Sequence, residues 1–180
     1  MSSKNLVFLL ALFVLLLEPS FEQVKEAIQS NKLDDGDCSC YFDGYQWLTL
    51  STKPCKCYVV STQLDWFDAY KDCESQDYGG LGPYATLISI DSAFDNQKIR
   101  MSSNTTSNSA SCTQVFIGLT KKGNDWIWVN GDNLTYTNWR SGYPDNNILN
   151  GCALLNLSDG KWTNVPCIGL INCYACETIL

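Results

Sequence analysis

Between Tyr143 and Cys167 the chain reads YPDNNILNGCALLNLSDGKWTNVPC. The stretch is dense in Asn and Asp, carries cysteines at Cys152 and Cys167, and holds one apolar run, CALLNL, suited to a strand. Side-chain oxygens at that density serve one of two ends. They hold a cation and, through it, a polar ligand, or they satisfy backbone groups in the turns of a stapled loop.

Outward from this stretch, the cysteines set the chemical setting. Ten are present: Cys38, Cys40, Cys55, Cys57, Cys73, Cys112, Cys152, Cys167, Cys173 and Cys176. All follow a 12-residue apolar run, Leu6–Leu17. A bilayer span needs about 20 apolar residues, whereas the core of a signal peptide needs about 7–15. Residues 1–20 therefore read as a signal peptide, and an even cysteine count behind it reads as five disulfides in a secreted, extracellular protein. Cys38-x-Cys40 and Cys55-x-Cys57 also look like paired zinc ligands, but structural zinc sites favour two to four intervening residues. No other apolar stretch is long enough to span, so no membrane insertion of the mature chain is expected.

The chain has no histidine and a net charge of −7. The first fact removes imidazole bases, His-containing triads and His–zinc hydrolases. No nucleophile elbow or phosphate-cradling glycine loop replaces them, so the protein is expected not to be an enzyme. The second fact, with no basic cluster, argues against nucleic acid or anionic membrane as partner.

Residues 21–37 are polar and acidic and read as a linker or stalk. A folded domain is expected over 38–180, long enough to bury its own core. Its first part, CSCYFDGYQWLTLSTKPCKCYVV, reads as a hairpin stapled by the four early cysteines, since Cys55 and Cys57 share one strand face. STQLDWFDAYKDCESQ reads as a helix with Ser61 or Thr62 as N-cap and Trp66, Tyr70 and Cys73 on one stripe. ATLISI is a short strand. DSAFDNQKIRM is a second helix, capped by Asp91 or Ser92, with Phe94, Lys98 and Met101 at helical spacing. Ser102–Ser111 is a polar loop. VFIGL, WIWV, CALLNL and the terminal CYACETIL read as strands. Early helices with many short strands make the class α+β. Sequons at Asn104, Asn133 and Asn156 are candidate glycan acceptors.

Seven pieces, in this order, are similar to the C-type lectin-like domain family: WFDAYKDC (Trp66–Cys73), FIGL (Phe116–Leu119), WIW (Trp126–Trp128), NW (Asn138–Trp139), YPDNN (Tyr143–Asn147), GKWTNVPC (Gly160–Cys167) and YACE (Tyr174–Glu177). The resemblance implies two helices, two small antiparallel sheets and a long disulfide-closed loop. It implies disulfides Cys73–Cys176 and Cys152–Cys167, the second closing a 15-residue loop worth about 3 kcal/mol in the chain-entropy model. The hairpin cysteines resemble the extra N-terminal bridge of long-form members, doubled here. Cys112 and Cys173 can pair with each other, although sequence leaves the connectivity open. The tryptophans Trp126, Trp128, Trp139 and Trp162 resemble those that pack the family's core beneath the loop.

Calcium-dependent members of the family carry a Glu-Pro-Asn or Gln-Pro-Asp triplet, a Glu two residues before the loop cysteine, and an Asn-Asp pair after the late Trp. Here those places hold Tyr143-Pro144-Asp145, Asn150 and Thr163-Asn164. Only Asp145 keeps a type the family uses, and calcium affinity follows the number of anionic ligands. The expectation is therefore no cofactor, with Asp145 a weak calcium candidate of millimolar affinity at best. The resemblance also implies a cis bond before Pro144. The ligand site expected is Tyr143, Asp145, Asn146, Asn147, Asn150 and Asn164, with the Tyr143 ring placed to stack on a sugar face. The function expected is a secreted carbohydrate-recognition module in host defence, without strong calcium dependence. The alternative is a protein–protein recognition module on the same scaffold.

Overall fold

The computed structural model describes residues 38, 40–42, 45–46, 48–52, 54–75, 85–102 and 112–179. The signal segment, the linker and the sequon at Asn104 lie outside them. Among these described residues, ten strands and two helices run in the order β1 (Tyr41–Phe42), β2 (Tyr45–Gln46), β3 (Leu48–Thr52), β4 (Cys55–Leu64), α1 (Trp66–Ser75), β5 (Thr86–Leu87), α2 (Ala93–Ser102), β6 (Gln114–Lys122), β7 (Asp125–Trp128), β8 (Cys152–Asn156), β9 (Trp162–Val165) and β10 (Asn172–Ile179). The class is α+β, with the long loop between β7 and β8. β1 and β2 form a small hairpin of their own. The other strands link as β3-β4-β10-β6-β8-β9, with β5 on β10 and β7 on β6. One ladder departs from the antiparallel rule: β10 runs parallel to β6 through Cys173↔Val115 and Tyr174↔Phe116. β9 has no strand signal in the sequence, because its Trp-Thr-Asn-Val carries too little apolar pattern; its pairing with β8 sets it.

Alternation along these strands divides the core in two, since successive side chains face opposite sides of a sheet. Val115, Ile117, Leu119, Ala153, Leu155, Ala175, Trp128 and Trp162 pack on one face. Phe116, Leu154, Tyr174, Trp66 and Ala69 pack on the other. Trp128 and Trp162 are fully buried, edge to face at 5.8 Å between centroids. Trp126 and Trp139 are half-buried and pack against this core from its rim. Gly118 is required by close approach, because a Cβ there would lie 2.5 Å from the Leu87 carbonyl oxygen.

The helix boundaries correct the sequence reading. Neither Ser61 nor Thr62 caps α1: both lie in β4, which stays in the ladder with β10 as far as Leu64↔Asn172. The cap is Asp65, whose Oδ1 accepts from the Asp68 N–H at 3.0 Å. Of the predicted stripe, Trp66 and Cys73 are buried and Tyr70 is half-buried, stacked on Trp66. α2 is capped by Ser92, whose hydroxyl accepts from the Asp95 N–H at 3.1 Å and donates to the Asp95 carboxylate at 2.7 Å. Its Phe94–Met101 stripe faces solvent, with the Lys98 ammonium 4.7 Å from the Phe94 ring centroid. The helix buries Asn96 and Ile99 instead.

All ten cysteines are paired: Cys38–Cys55, Cys40–Cys57, Cys73–Cys176, Cys112–Cys173 and Cys152–Cys167. Two of the five, Cys73–Cys176 and Cys112–Cys173, bind β10 to distant parts of the chain. Among the described residues no helix is long and apolar enough to cross a membrane.

Candidate functional site

The long loop leaves the core at Val129 and returns at Cys152, where the Cys152–Cys167 bridge fastens its base. A short turn carries it past Trp139: the Tyr143 N–H donates to the Arg140 carbonyl at 2.9 Å. The Tyr143–Pro144 bond is cis. Beyond it, the loop is organised around one carboxylate. Asp145 Oδ1 accepts from the Asn147 N–H at 3.0 Å and from the Asn164 amide at 2.9 Å. The Asn150 amide reaches both carboxylate oxygens, at 3.2 and 3.0 Å.

Asn164 is the fixed point, buried to 2 % exposure at the end of β9. Its Oδ1 accepts the Asp145 N–H at 2.7 Å. With that end committed, its amide nitrogen turns to Asp145 and to the Asn150 carbonyl at 3.0 Å. Asn147 Oδ1 accepts the Leu149 N–H at 3.0 Å, a local turn. Asp145 is held below the usual carboxylate range, first by the Asn164 amide and further by the Asn147 N–H, the Asn150 amide and the Lys121 charge, which together outweigh its desolvation.

The predicted residues therefore separate into two groups. Asp145, Asn147, Asn150 and Asn164 form one hydrogen-bonded cluster. Tyr143 and Asn146 stand outside it and are exposed, Tyr143 to 37 %. Two neighbours missed by sequence reasoning, Ile148 and Leu149, are exposed to 89 % and 71 %. Lys121 was also missed. It enters from β6, bonded through its N–H to the Gly151 carbonyl at 2.8 Å, and only tertiary structure brings its charge to Asp145. Of the sequons within the described residues, Asn133 is exposed. Asn156 accepts from both the N–H and the hydroxyl of Ser158, at 2.9 and 2.7 Å.

A second polar constellation lies elsewhere, outside the ligand set expected from the sequence. Lys56 and Glu177, both buried, meet at 2.9 Å between Nζ and Oε2, outside good hydrogen-bond alignment. Ser89, Asn130, Asp132 and Asp91 surround them. A cleft of about 530 Å³ opens above, lined by Lys56, Asp91, Asp95, Asp132 and Asn133 and by none of the residues predicted for ligand.

A family model, Lectin C-type domain, matches residues 62–178. The chain belongs to the C-type lectin family. It is 30% identical over 129 residues to C-type lectin lectoxin-Lio3 of Erythrolamprus poecilogyrus, covering 68% of this chain and 74% of that one. Among solved structures it is similar to the mouse scavenger receptor C-type lectin carbohydrate-recognition domain, with TM-score 0.57 and 29% identity, covering 74% of this chain and 93% of that one. A calcium-independent type II antifreeze protein shares the fold, with TM-score 0.59 and 19% identity, covering 74% and 92%.

Within the C-type lectin family the loop cluster occupies the place where the resemblance puts calcium. The donor set fits that ion poorly. Calcium takes six to eight oxygen ligands, and this cluster offers one carboxylate. The two amides nearest it present N–H groups rather than oxygens, and Asn164 cannot turn round without losing the Asp145 N–H. Amide N–H groups thus stabilise the Asp145 carboxylate in its ionised form.

Proposed function

We propose that this C-type lectin domain is a secreted binding module, not an enzyme, that recognises carbohydrate through the long loop without calcium. The observation that carries the reading is the closed hydrogen-bond set around Asp145, which orders the loop by amide donors alone. Tyr143, Asn146 and the outer edges of Asn147 and Asn150 supply an exposed ring and polar groups of both kinds. An aromatic ring against a sugar's C–H face and a few direct hydrogen bonds give weak single-site binding, which repeated ligands strengthen. The scavenger receptor neighbour is named for carbohydrate recognition, which supports the reading by analogy of fold. Host defence is the setting we propose for it.

A glycan array probed in calcium and in EDTA tests this. The expected result is the same bound set in both, lost on Tyr143→Ala. Signals that vanish in EDTA would restore the metal, and unchanged binding by the Tyr143→Ala variant would remove the stacking contact. A second reading, recognition of a protein, is favoured by the aliphatic side chains of Ile148, Leu149, Ile168 and Ile171, all exposed. A blank array would favour it.

A further inference from the structure

The turn that leaves β7 is fixed to the fold on its inner side and open on its outer side. Gly131 takes a φ of 85°, in the left-handed region. The Asp132 N–H donates to Asn130 Oδ1 at 2.9 Å. The Asp132 carboxylate accepts from the Ser89 hydroxyl at 2.7 Å and from the Asn130 amide at 2.6 Å. Two residues on, Leu134 packs against the core. Between and beyond these anchors, Asn133 and Thr135 are exposed. The Thr135 N–H donates to the Asn133 carbonyl at 2.9 Å, which holds the two outward residues on one tight turn. Among the described residues no hydrogen bond engages the Asn133 side chain. Asn133-Leu134-Thr135 is a sequon. The sequon at Asn156 is tied into the fold instead. Asn156 is half-buried, and its Oδ1 accepts from the Ser158 N–H and hydroxyl. Arg100 donates to the Leu157 and Ser158 carbonyls of the same turn, at 3.0 and 2.7 Å.

We propose that Asn133 carries an N-linked glycan whose first N-acetylglucosamine lies over the cleft beside it. This rests on the secreted half of the proposed function, since the sugar is added along the secretory route. The donor is an oligosaccharide carried on a polyprenyl diphosphate. The bond from sugar C1 to Asn133 Nδ2 forms and the bond from C1 to the diphosphate oxygen breaks. The lipid diphosphate leaves with that electron pair, and the amide gives up one proton. Asn133 is itself part of the cleft wall, which it shares with Asp91, Asp95 and Asp132. Their carboxylates are acceptors for the hydroxyls and the amide N–H of the sugar. Pro54 and Ile179 add apolar wall suited to its acetyl methyl. The cleft volume of about 530 Å³ falls within the ~300–1,000 Å³ of ligand pockets, room for a sugar ring. The cleft is then filled by the chain's own sugar, and the long loop is left as the face that meets a foreign glycan.

The test expresses two forms in insect cells: the full chain, and the chain with residues 1–20 replaced by the leader of a known secreted protein. The second form enters the secretory route whatever residues 1–20 do, so a bare Asn133 on it overturns the glycan and leaves export standing. Retention of the first form alone overturns export and leaves the glycan standing. Peptide-N-glycosidase in heavy-oxygen water, followed by mass spectrometry, leaves a labelled aspartate at each occupied asparagine. The expected result is label at Asn133, at higher occupancy than at Asn156, and loss of one glycan's mass in the Thr135→Ala variant. Carbodiimide labelling of carboxylates on the native protein reads the cleft. Asp91 and Asp132 should react severalfold less in the glycosylated protein than in Thr135→Ala, with Asn133→Gln as a second bare form should Thr135→Ala not fold. The proposal is overturned if Asn133 is bare or less occupied than Asn156. It is also overturned if Asp91 and Asp132 label equally with and without the glycan.

Discussion

An asparagine side chain has a donor end and an acceptor end, and at Asn164 the whole reading of the loop turns on which end faces Asp145. The sequence shows the residue type and its place after Trp162, but not the orientation. The structure decides it through the Asp145 N–H, which takes the oxygen and leaves the nitrogen for the carboxylate. Asn164→Asp tests this directly. The substitution keeps the acceptor and replaces the donor with a second negative oxygen against Asp145. It also strips the Asn150 carbonyl of its partner. In EDTA at neutral pH the variant is expected to lose about 1–3 kcal/mol, the cost of a buried group left unsatisfied. Two carboxylates then face each other, so calcium at about 10 mM should raise the variant's melting midpoint by mass action and leave the parent's unchanged. Equal stability of parent and variant in EDTA would sink the amide-donor account.

At the scale of elements, what was legible depended on whether local pattern or long-range pairing sets the boundary. β6, β8 and β10 announced themselves by runs of apolar residues bounded by turns. α2 announced its start by two adjacent capping types, Asp91 and Ser92, of which the structure uses Ser92 through its bonds to Asp95. α1 did not, because Ser61 and Thr62 are equally good capping types. They lost to the β4–β10 ladder, which holds the backbone extended through Leu64 and leaves the cap to Asp65. Asp145, Asn147 and Asn150 were legible as a loop cluster, since they sit together in sequence, whereas Tyr143 and Asn146 fall outside it and Asn164 joins from β9. Lys121 and the Lys56–Glu177 pair were not, because distant strands assemble them. The Asp65 assignment carries its own prediction. Its carboxylate serves the first turn of α1 and also accepts the Gly169 N–H at 3.2 Å. Asp65→Ala is expected to cost about 1 kcal/mol, as lost N-caps do, while Ser61→Ala stays within about 0.5 kcal/mol. Urea unfolding of the two variants ranks them; a larger loss at Ser61 would return the cap to the strand end.

For the whole molecule, the Lys56 network is where separate parts of the chain meet: β4 supplies Lys56, the exit of β5 Ser89, the approach to α2 Asp91, the exit of β7 Asn130 and Asp132, and β10 Glu177. Burial is the largest influence on both central groups. It pushes Glu177 up to about 7, although the Lys56 ammonium and the surrounding donors pull the other way. Burial also works to lower Lys56, but Glu177 and Asp91 outweigh it, and Lys56 stays raised and charged. The sign for stability follows from Glu177. Folded, it holds its proton more tightly than the unfolded chain does at its ordinary 4.5. The stability that this contributes is full below pH 4.5, falls as pH rises, and is gone above about 7. Asp65, Asp132, Asp145 and Asp159 are all lowered and act in a different window: their contribution is complete above 3.8 and is lost only in stronger acid. Between pH 4.5 and about 7 the Glu177 slope therefore stands alone among these groups. Glu177→Gln keeps the size and removes the titration, so denaturant unfolding across that window should show a falling stability in the parent and a flattened line in the variant. Parallel lines would mean that Glu177 stays ionised in the fold, with Lys56 prevailing over burial.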